Sequence, residues 1–151
     1  MNWEQRLEFH EGFRSMPYKC PTGHLTIGIG HNTEARDWTP EEKKAIGDWK
    51  KGITKNAAYM ILRNDIQICL KDLKKLGFWK QLDDERQYAL IDICFNIGFV
   101  GLKKFRKMLK ALSEKNYVEA SNQLLDSKYA TQTGKRAKRI AKLIKTGVWE
   151  I

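Results

Sequence analysis

A carboxylic acid, a thiol and a hydroxyl stand close together near the start of this chain. Glu11, Cys20 and Thr26 lie in the stretch EGFRSMPYKCPTGHLTIGIGH, with eight residues between the first two and five between the last two. An acid facing a hairpin that carries a second polar group suits general acid chemistry on a glycosidic bond. One group protonates the leaving oxygen while another handles a water on the opposite face of the sugar. To serve, the acid must still carry its proton when the bond breaks. Cys20 is the unusual member, because the second group is ordinarily a carboxylate. A free thiol with pKa about 8.5 is only a few per cent ionised at pH 7 unless neighbours favour the thiolate. Lys19 and His24 are near enough in sequence to do so. Other readings stay open: Glu11 as a solvated acid at a helix end, Cys20 as a bystander thiol in a turn, Thr26 as an ordinary β-branched strand residue. Cys20 with His24 or His31 as base would also fit a peptidase or amidase. Such enzymes usually place the cysteine at a helix N-terminus, whereas Pro21 and Gly23 put this one in a turn.

These residues need elements to position them. Asn2 with Gln5 predicts a capped first helix, Trp3 and Leu7 form an i, i+4 apolar pair, and Glu11-Gly12 marks its end. From Pro17 to His31 the period shifts to two. Leu25, Ile27 and Ile29 alternate with Thr26, Gly28 and Gly30, which predicts a strand with one apolar face and one small face open to a sugar. Pro21-Thr22-Gly23 supplies the turn before it. Thr39-Pro40-Glu41-Glu42 opens a second helix. Thr54 caps a long third helix running to Gly77, about 33 Å at 1.5 Å per residue, long enough to join two lobes. Asp84 with Gln87 opens a fourth, apolar on nearly every face and therefore central to a core. Amphipathic helices follow around 102–112, 117–125 and 135–145. The fold class is α+β, mainly α, with a small N-terminal β-hairpin lobe joined by a long helix to a helical C-terminal lobe.

The 151 residues suit one domain with two lobes and allow a real core. No apolar run approaches the roughly 20 residues of a membrane span, and no export signal is visible at the N-terminus. Cys20, Cys69 and Cys94 have no metal-ligand spacing and read as reduced thiols of a cytoplasmic product. No metal or cofactor is expected. The net charge of +10 is uneven: residues 101–151 hold 13 Lys and Arg against 4 Asp and Glu. That half predicts a polyanionic partner. Lys135-Arg136-Ala137-Lys138-Arg139 and the Lys103–Lys110 cluster would also suit a nucleic-acid binder, but no groove-reading motif accompanies them.

With these residues the chain resembles phage endolysins of the T-even lysozyme type, a muramidase family marked by Glu, then Asp or Cys, then Thr at this spacing. The likeness takes in Tyr18, the TIGIGH run from Thr26, Ile53-Thr54-Lys55, Asn64-Asp65-Ile66, Gln132-Thr133, Arg136-Ala137-Lys138-Arg139, Thr146-Gly147 and Trp149, and so nearly the whole chain. It implies a lysozyme-like domain over 1–151, with an N-terminal lobe of about 12–60 and a C-terminal lobe of about 75–151 that includes helix 1–11. It implies hydrolysis of the β-1,4 bond between N-acetylmuramic acid and N-acetylglucosamine in peptidoglycan, with inversion. Glu11 would be the general acid and Thr26 the residue that positions water. Cys20 would replace the commoner Asp, which acts as base or steadies charge on the sugar ring.

By the same resemblance His31 pairs with Asp65 as a support, and Arg136 reaches across the cleft toward the acid. Phe95 lines that cleft, and Asn32, Met108 and Gln123 fall at or near sugar-contact positions, though their residue types differ from the usual ones. The implied setting is an endolysin that accumulates as a monomer in the host cytoplasm and reaches the wall after a holin opens the membrane. Anionic envelope polymers, not nucleic acid, would meet its basic half. A lytic transglycosylase, needing one Glu and no water-handling group, is the alternative within wall chemistry, with a cysteine–histidine amidase or peptidase as the other.

Overall fold

The computed structural model covers residues 1–151 and is mainly helical, with one small antiparallel sheet. Its backbone divides into two compact units, Met1–Gln67 and Ile68–Ile151. No helix is long and apolar enough to cross a membrane.

In the first unit, α1 spans Trp3–Glu11. Both bonds of its capping box are present: Gln5 N donates to Asn2 Oδ1 at 2.8 Å, and Asn2 N to Gln5 Oε1 at 2.9 Å. Three strands follow, β1 (Arg14–Lys19), β2 (Leu25–Gly28) and β3 (His31–Asn32), in the order β1-β2-β3. The expected turn joins the first two. Gly23 N donates to Cys20 O at 2.8 Å, with Pro21 in the second position, and Cys20 N donates to His24 O at 3.0 Å. The strand anticipated through Gly30 stops at Gly28, because Gly28 (φ +68°) and Gly30 (φ +62°) turn the chain over into β3. Helix α2 (Pro40–Ile46) carries the anticipated Thr39–Glu42 capping box.

Helix α3 runs from Lys55 to Leu73, with Thr54 Oγ1 accepting from Ala57 N at 3.1 Å. It ends four residues before Gly77. Lys75 N bonds to Asp72 O and Leu76 N to Leu73 O, three-residue bonds that tighten the chain into turns.

One guanidinium gathers the irregular part of this unit. Arg36 donates from Nη1 and Nη2 to the two oxygens of Glu42, both at 2.8 Å, and from Nε to Asp65 Oδ1 at 3.0 Å. Asp65 Oδ2 lies 2.6 Å from His31 Nδ1, and Asn64 Nδ2 donates to Glu42 Oε2 at 3.0 Å. The cluster thus ties β3, the loop after it, α2 and α3. Glu42 is fully buried. Burial would push its carboxyl up, but the Arg36 fork, the Thr39 amide and Asn64 outweigh it and hold the pKa down to about 2.

The second unit is built from α4 (Asp84–Lys103), α5 (Arg106–Ser113), α6 (Tyr117–Leu125), α7 (Lys128–Thr133) and α8 (Lys135–Thr146). The run of α4 from Tyr88 to Cys94 is buried in this unit, as are Leu102, Met108, Leu124, Ile140, Leu143 and Ile144, and α4 packs against α8. Gln87 does not cap α4 as anticipated; its Nε2 donates to Trp79 O at 3.1 Å. Nor is α4 continuous, since Gly98 (φ +80°, ψ 164°) breaks it. Helix α7 carries no apolar period long enough to have been anticipated. Helices α6 and α8 are clamped by Ser121 Oγ donating to Ala141 O at 2.8 Å. Arg86 satisfies the end of α8, donating to Ile144 O at 2.7 Å and Lys145 O at 3.2 Å while lying 3.5 Å over the Tyr117 ring.

Arg36→Met leaves two carboxylates without their shared cation, so it should destabilise the protein by about 3 kcal/mol at neutral pH. The folded pKa of Glu42 lies below its ordinary 4.5. The wild-type advantage should therefore be complete above about pH 4.5 and fade as pH falls toward 2. Urea unfolding of both proteins across that range checks this; a gap that stays constant would contradict it.

Candidate active site

Thr26 occupies the middle strand of the sheet. Its Cα is paired with Tyr18 on β1 and with Asn32 on β3, so these three side chains form a row on one face. Thr26 is 4% exposed and its hydroxyl donates to His24 O at 2.9 Å. Asn32 Oδ1 accepts from Glu34 N at 2.9 Å.

Cys20 begins the turn beside this row. Its Sγ lies 3.0 Å from the Thr22 hydroxyl. Hydrogen bonding from that hydroxyl is the leading cause that lowers the thiol pKa; burial opposes it, and backbone hydrogen bonds from His24 and Thr22 help bring the value down to about 7. The thiolate is thus stabilised by turn hydroxyls and amides, where the sequence suggested Lys19 or His24 as cations. The His24 ring instead lies 3.5 Å from Glu34.

Glu11, the last residue of α1, folds over the β2–β3 turn. A Cβ built on Gly30 would sit 2.7–2.9 Å from Glu11 Oε2, Cδ and Cγ. Only a residue without a side chain lets the carboxyl settle there, and the positive φ of Gly30 makes the same demand. Gly28 is not open either: a Cβ there would meet Ala58 Cβ and Ile53 Cδ1, both at 3.3 Å. The strand face expected to admit a sugar is thus filled by protein at both glycines. What it offers instead is a seat for the acid.

Tyr18 joins the two ends of the site. Its pKa is raised by burial first and then by the negative charges of Glu11 and Cys20, with Arg14, 4.4 Å over its ring, opposing. Sequence reasoning quoted Tyr18 as part of a likeness and gave it no role; its pairing with Thr26 was the available signal. One turn back on α1, Glu8 accepts hydrogen bonds from Tyr59 and from Lys55, which lower its pKa. Glu4 pairs with Arg63 at 2.9 Å, and Glu11 is the carboxylate of α1 that lies against Gly30.

The other candidates belong to the second unit. Met108 and Gln123 come together there, lining a cavity of about 330 Å³ with Lys104, Phe105 and Arg106. Gln123 Nε2 donates to Glu119 Oε1 at 2.6 Å. Phe95 is half-buried on α4. Arg136 donates from Nε to Asp92 Oδ1 at 2.9 Å, and Asp92, itself fully buried, also accepts from Tyr88 OH at 2.7 Å. Asp92 was not anticipated, since a single acid in an apolar helix shows no period. No group of three or more His, Cys, Asp or Glu side chains converges as metal ligands would.

The family model described as phage lysozyme matches residues 8–145. Two proteins of Dictyostelium discoideum, described as probable T4-type lysozymes 1 and 2, are 30% and 28% identical, each over 93% of this chain and 92% of the relative. The pre-baseplate central spike protein Gp5 of Enterobacteria phage T4 is 32% identical over 97% of this chain, a match that takes up 28% of that protein.

Two variants probe the site chemically. Carbamidomethylation of Cys20 should accelerate with pH about a midpoint near 7, and Thr22→Val should move that midpoint upward, because the thiolate loses its leading hydrogen bond. An unchanged midpoint would rule out the hydroxyl as its cause. Gly30→Ala should displace the Glu11 carboxyl and cost at least 1 kcal/mol from the forced φ. Thermal unfolding and a crystal structure of the variant would show it.

Proposed function

The chain belongs to the phage lysozyme family and is a glycoside hydrolase of the lysozyme type, and from that premise we propose that it cleaves the β-1,4 bond between N-acetylmuramic acid and N-acetylglucosamine. Peptidoglycan is the substrate its family implies. The observation that carries the finer reading is the seat of Glu11 on Gly30, in the turn after the strand bearing Thr26, with Cys20 in the turn before that strand.

In this reading Glu11 donates its proton to the leaving glycosidic oxygen as the bond breaks. The electron pair departs with that oxygen, and positive charge gathers on the ring. A water held by the Thr26 hydroxyl and the Cys20 sulfur attacks the opposite face, and the thiolate accepts its proton, which gives inversion. With a thiol pKa of about 7 the base is about half-formed at neutral pH, far more than an ordinary cysteine would supply. Asn32 in the first unit is a candidate sugar contact, as are Phe95, Met108 and Gln123 in the second. The His31–Asp65 pair holds β3 against α3, and Arg136 is held by Asp92 within the second unit.

The biological role that fits is an endolysin: a monomer made in the host cytoplasm, admitted to the wall by a holin and ending in lysis. A second reading comes from the spike relative, whose likeness spans 97% of this chain: the same lysozyme chemistry used as part of a particle. Immunodetection in purified virions separates the two.

Glu11→Gln should lower release of reducing sugar from purified walls by about 10³-fold while the protein stays folded. The base-dependent rising limb of wild-type activity should have its midpoint near 7, and Cys20→Asp should remain active with that limb moved below about pH 5. Free amino groups in the product would mark an amidase, and non-reducing anhydro ends a transglycosylase. Wild-type activity in Glu11→Gln would reject the acid assignment.

A further inference from the structure

Helix α8 reads KRAKRIAKLIKT, six cations and no acid. Its apolar residues Ala137, Ile140, Ala141, Leu143 and Ile144 are all buried in the second unit. Arg136 is turned inward onto Asp92. Lys135, Lys138, Lys142 and Lys145 are exposed, at steps of three, four and three residues. At 100° and 1.5 Å per residue these four ammonium groups share a sector of about 80° and a line of about 15 Å, one cation to each helical turn.

Along this line lies a cavity of about 250 Å³, lined by Lys135, Lys138, Arg139, Lys142, Glu150 and Ile151. It is separate from the cavity that holds Met108 and Gln123. Its one side-chain carboxylate, Glu150, is already paired with Lys142, and the four cations of the lining leave the groove an excess of positive charge.

We infer that this stripe is a docking surface for the linear phosphodiester polymers attached to bacterial walls. Evenly spaced lysines recognise charge density and not shape, because each is a point charge without the fork of an arginine. A polymer carrying one phosphate per repeat lays its charges along such a line, whereas the carboxylates of peptidoglycan stems project sideways from the glycan. Insertion into a lipid surface needs an apolar helix face, and that of α8 is buried in its own core. Nucleic-acid binding would add aromatic platforms or a groove-reading element, and α8 has neither. Docking concentrates the enzyme on the lattice it degrades without touching the reacting bond. The inference deepens the wall-lytic reading and rests on it for the choice of partner.

The test uses the full chain and a triple variant, Lys135→Gln with Lys138→Gln and Lys145→Gln, which spares the Lys142–Glu150 pair. Each is sedimented on ice with intact walls bearing phosphodiester polymer and with the same walls stripped by hydrofluoric acid, at low and at physiological salt. Wild type should be retained about tenfold better on intact walls, with the advantage shrinking as salt rises. The triple variant should fall to the stripped-wall level yet hydrolyse stripped walls at the wild-type rate, and the corresponding Lys→Arg triple should restore retention. Equal retention of wild type on intact and stripped walls would overturn the inference, as would undiminished retention of the Gln triple. So would tighter binding of wild type to phosphatidylglycerol vesicles or to duplex DNA than to intact walls. Failure of both proteins to hydrolyse stripped walls would count against the lytic reading alone, since sedimentation decides docking by itself.

Discussion

The first unit depends on the Arg36 guanidinium more than on any other polar group. Its five donors are rigid and always charged, so one side chain can serve two carboxylates in fixed directions. Glu42 and Asp65 sit on different helices, and Asp65 passes the constraint on to His31 at the start of β3. Because β3 is only two residues long, ladder bonds alone would hold it weakly. The ion cluster supplies the missing fixation, and with it the position of Asn32 beside Thr26.

The candidate active site is then a matter of close approach. A carboxylate at a helix end reaches the sheet only because the facing residue has no Cβ. The thiol pKa is lowered chiefly by the Thr22 hydroxyl and by backbone amides at and just after the turn, with no cation among the causes. Both devices are local and small, which suits a site that must meet a long polymer while keeping its own groups in fixed places. The polar row Tyr18–Thr26–Asn32 shows the same economy: three strands each contribute one side chain to one face.

Much of this was legible in the sequence, for identifiable reasons. The capping boxes at Asn2 and Thr39 and the Pro21 turn were readable because each involves neighbours within four residues. The helical second unit followed from apolar periods in α4, α5, α6 and α8. The end of α3 at Leu73 and the break at Gly98 were not readable, since both depend on which competing local bond wins. Arg36 and Asp92 were missed for a different reason. Each has one partner far along the chain, Asp65 at 29 residues and Arg136 at 44, and a single charged residue in a loop or an apolar helix leaves no periodic mark. Gly28 and Gly30 were seen but misread: a missing side chain signals close approach, and the approaching group turned out to be protein at both positions.

The break at Gly98 divides α4 into cooperative parts. A residue at φ +80° interrupts the hydrogen-bonded ladder, so Phe99–Lys103 gains no support from the turns before it. The first part is buried through Tyr88–Cys94, whereas Ile97 and Val100 are exposed on either side of the break. Amide exchange should therefore be slowest between Tyr88 and Cys94 and step up sharply at Gly98, making the last turns of α4 a separate, less protected foldon.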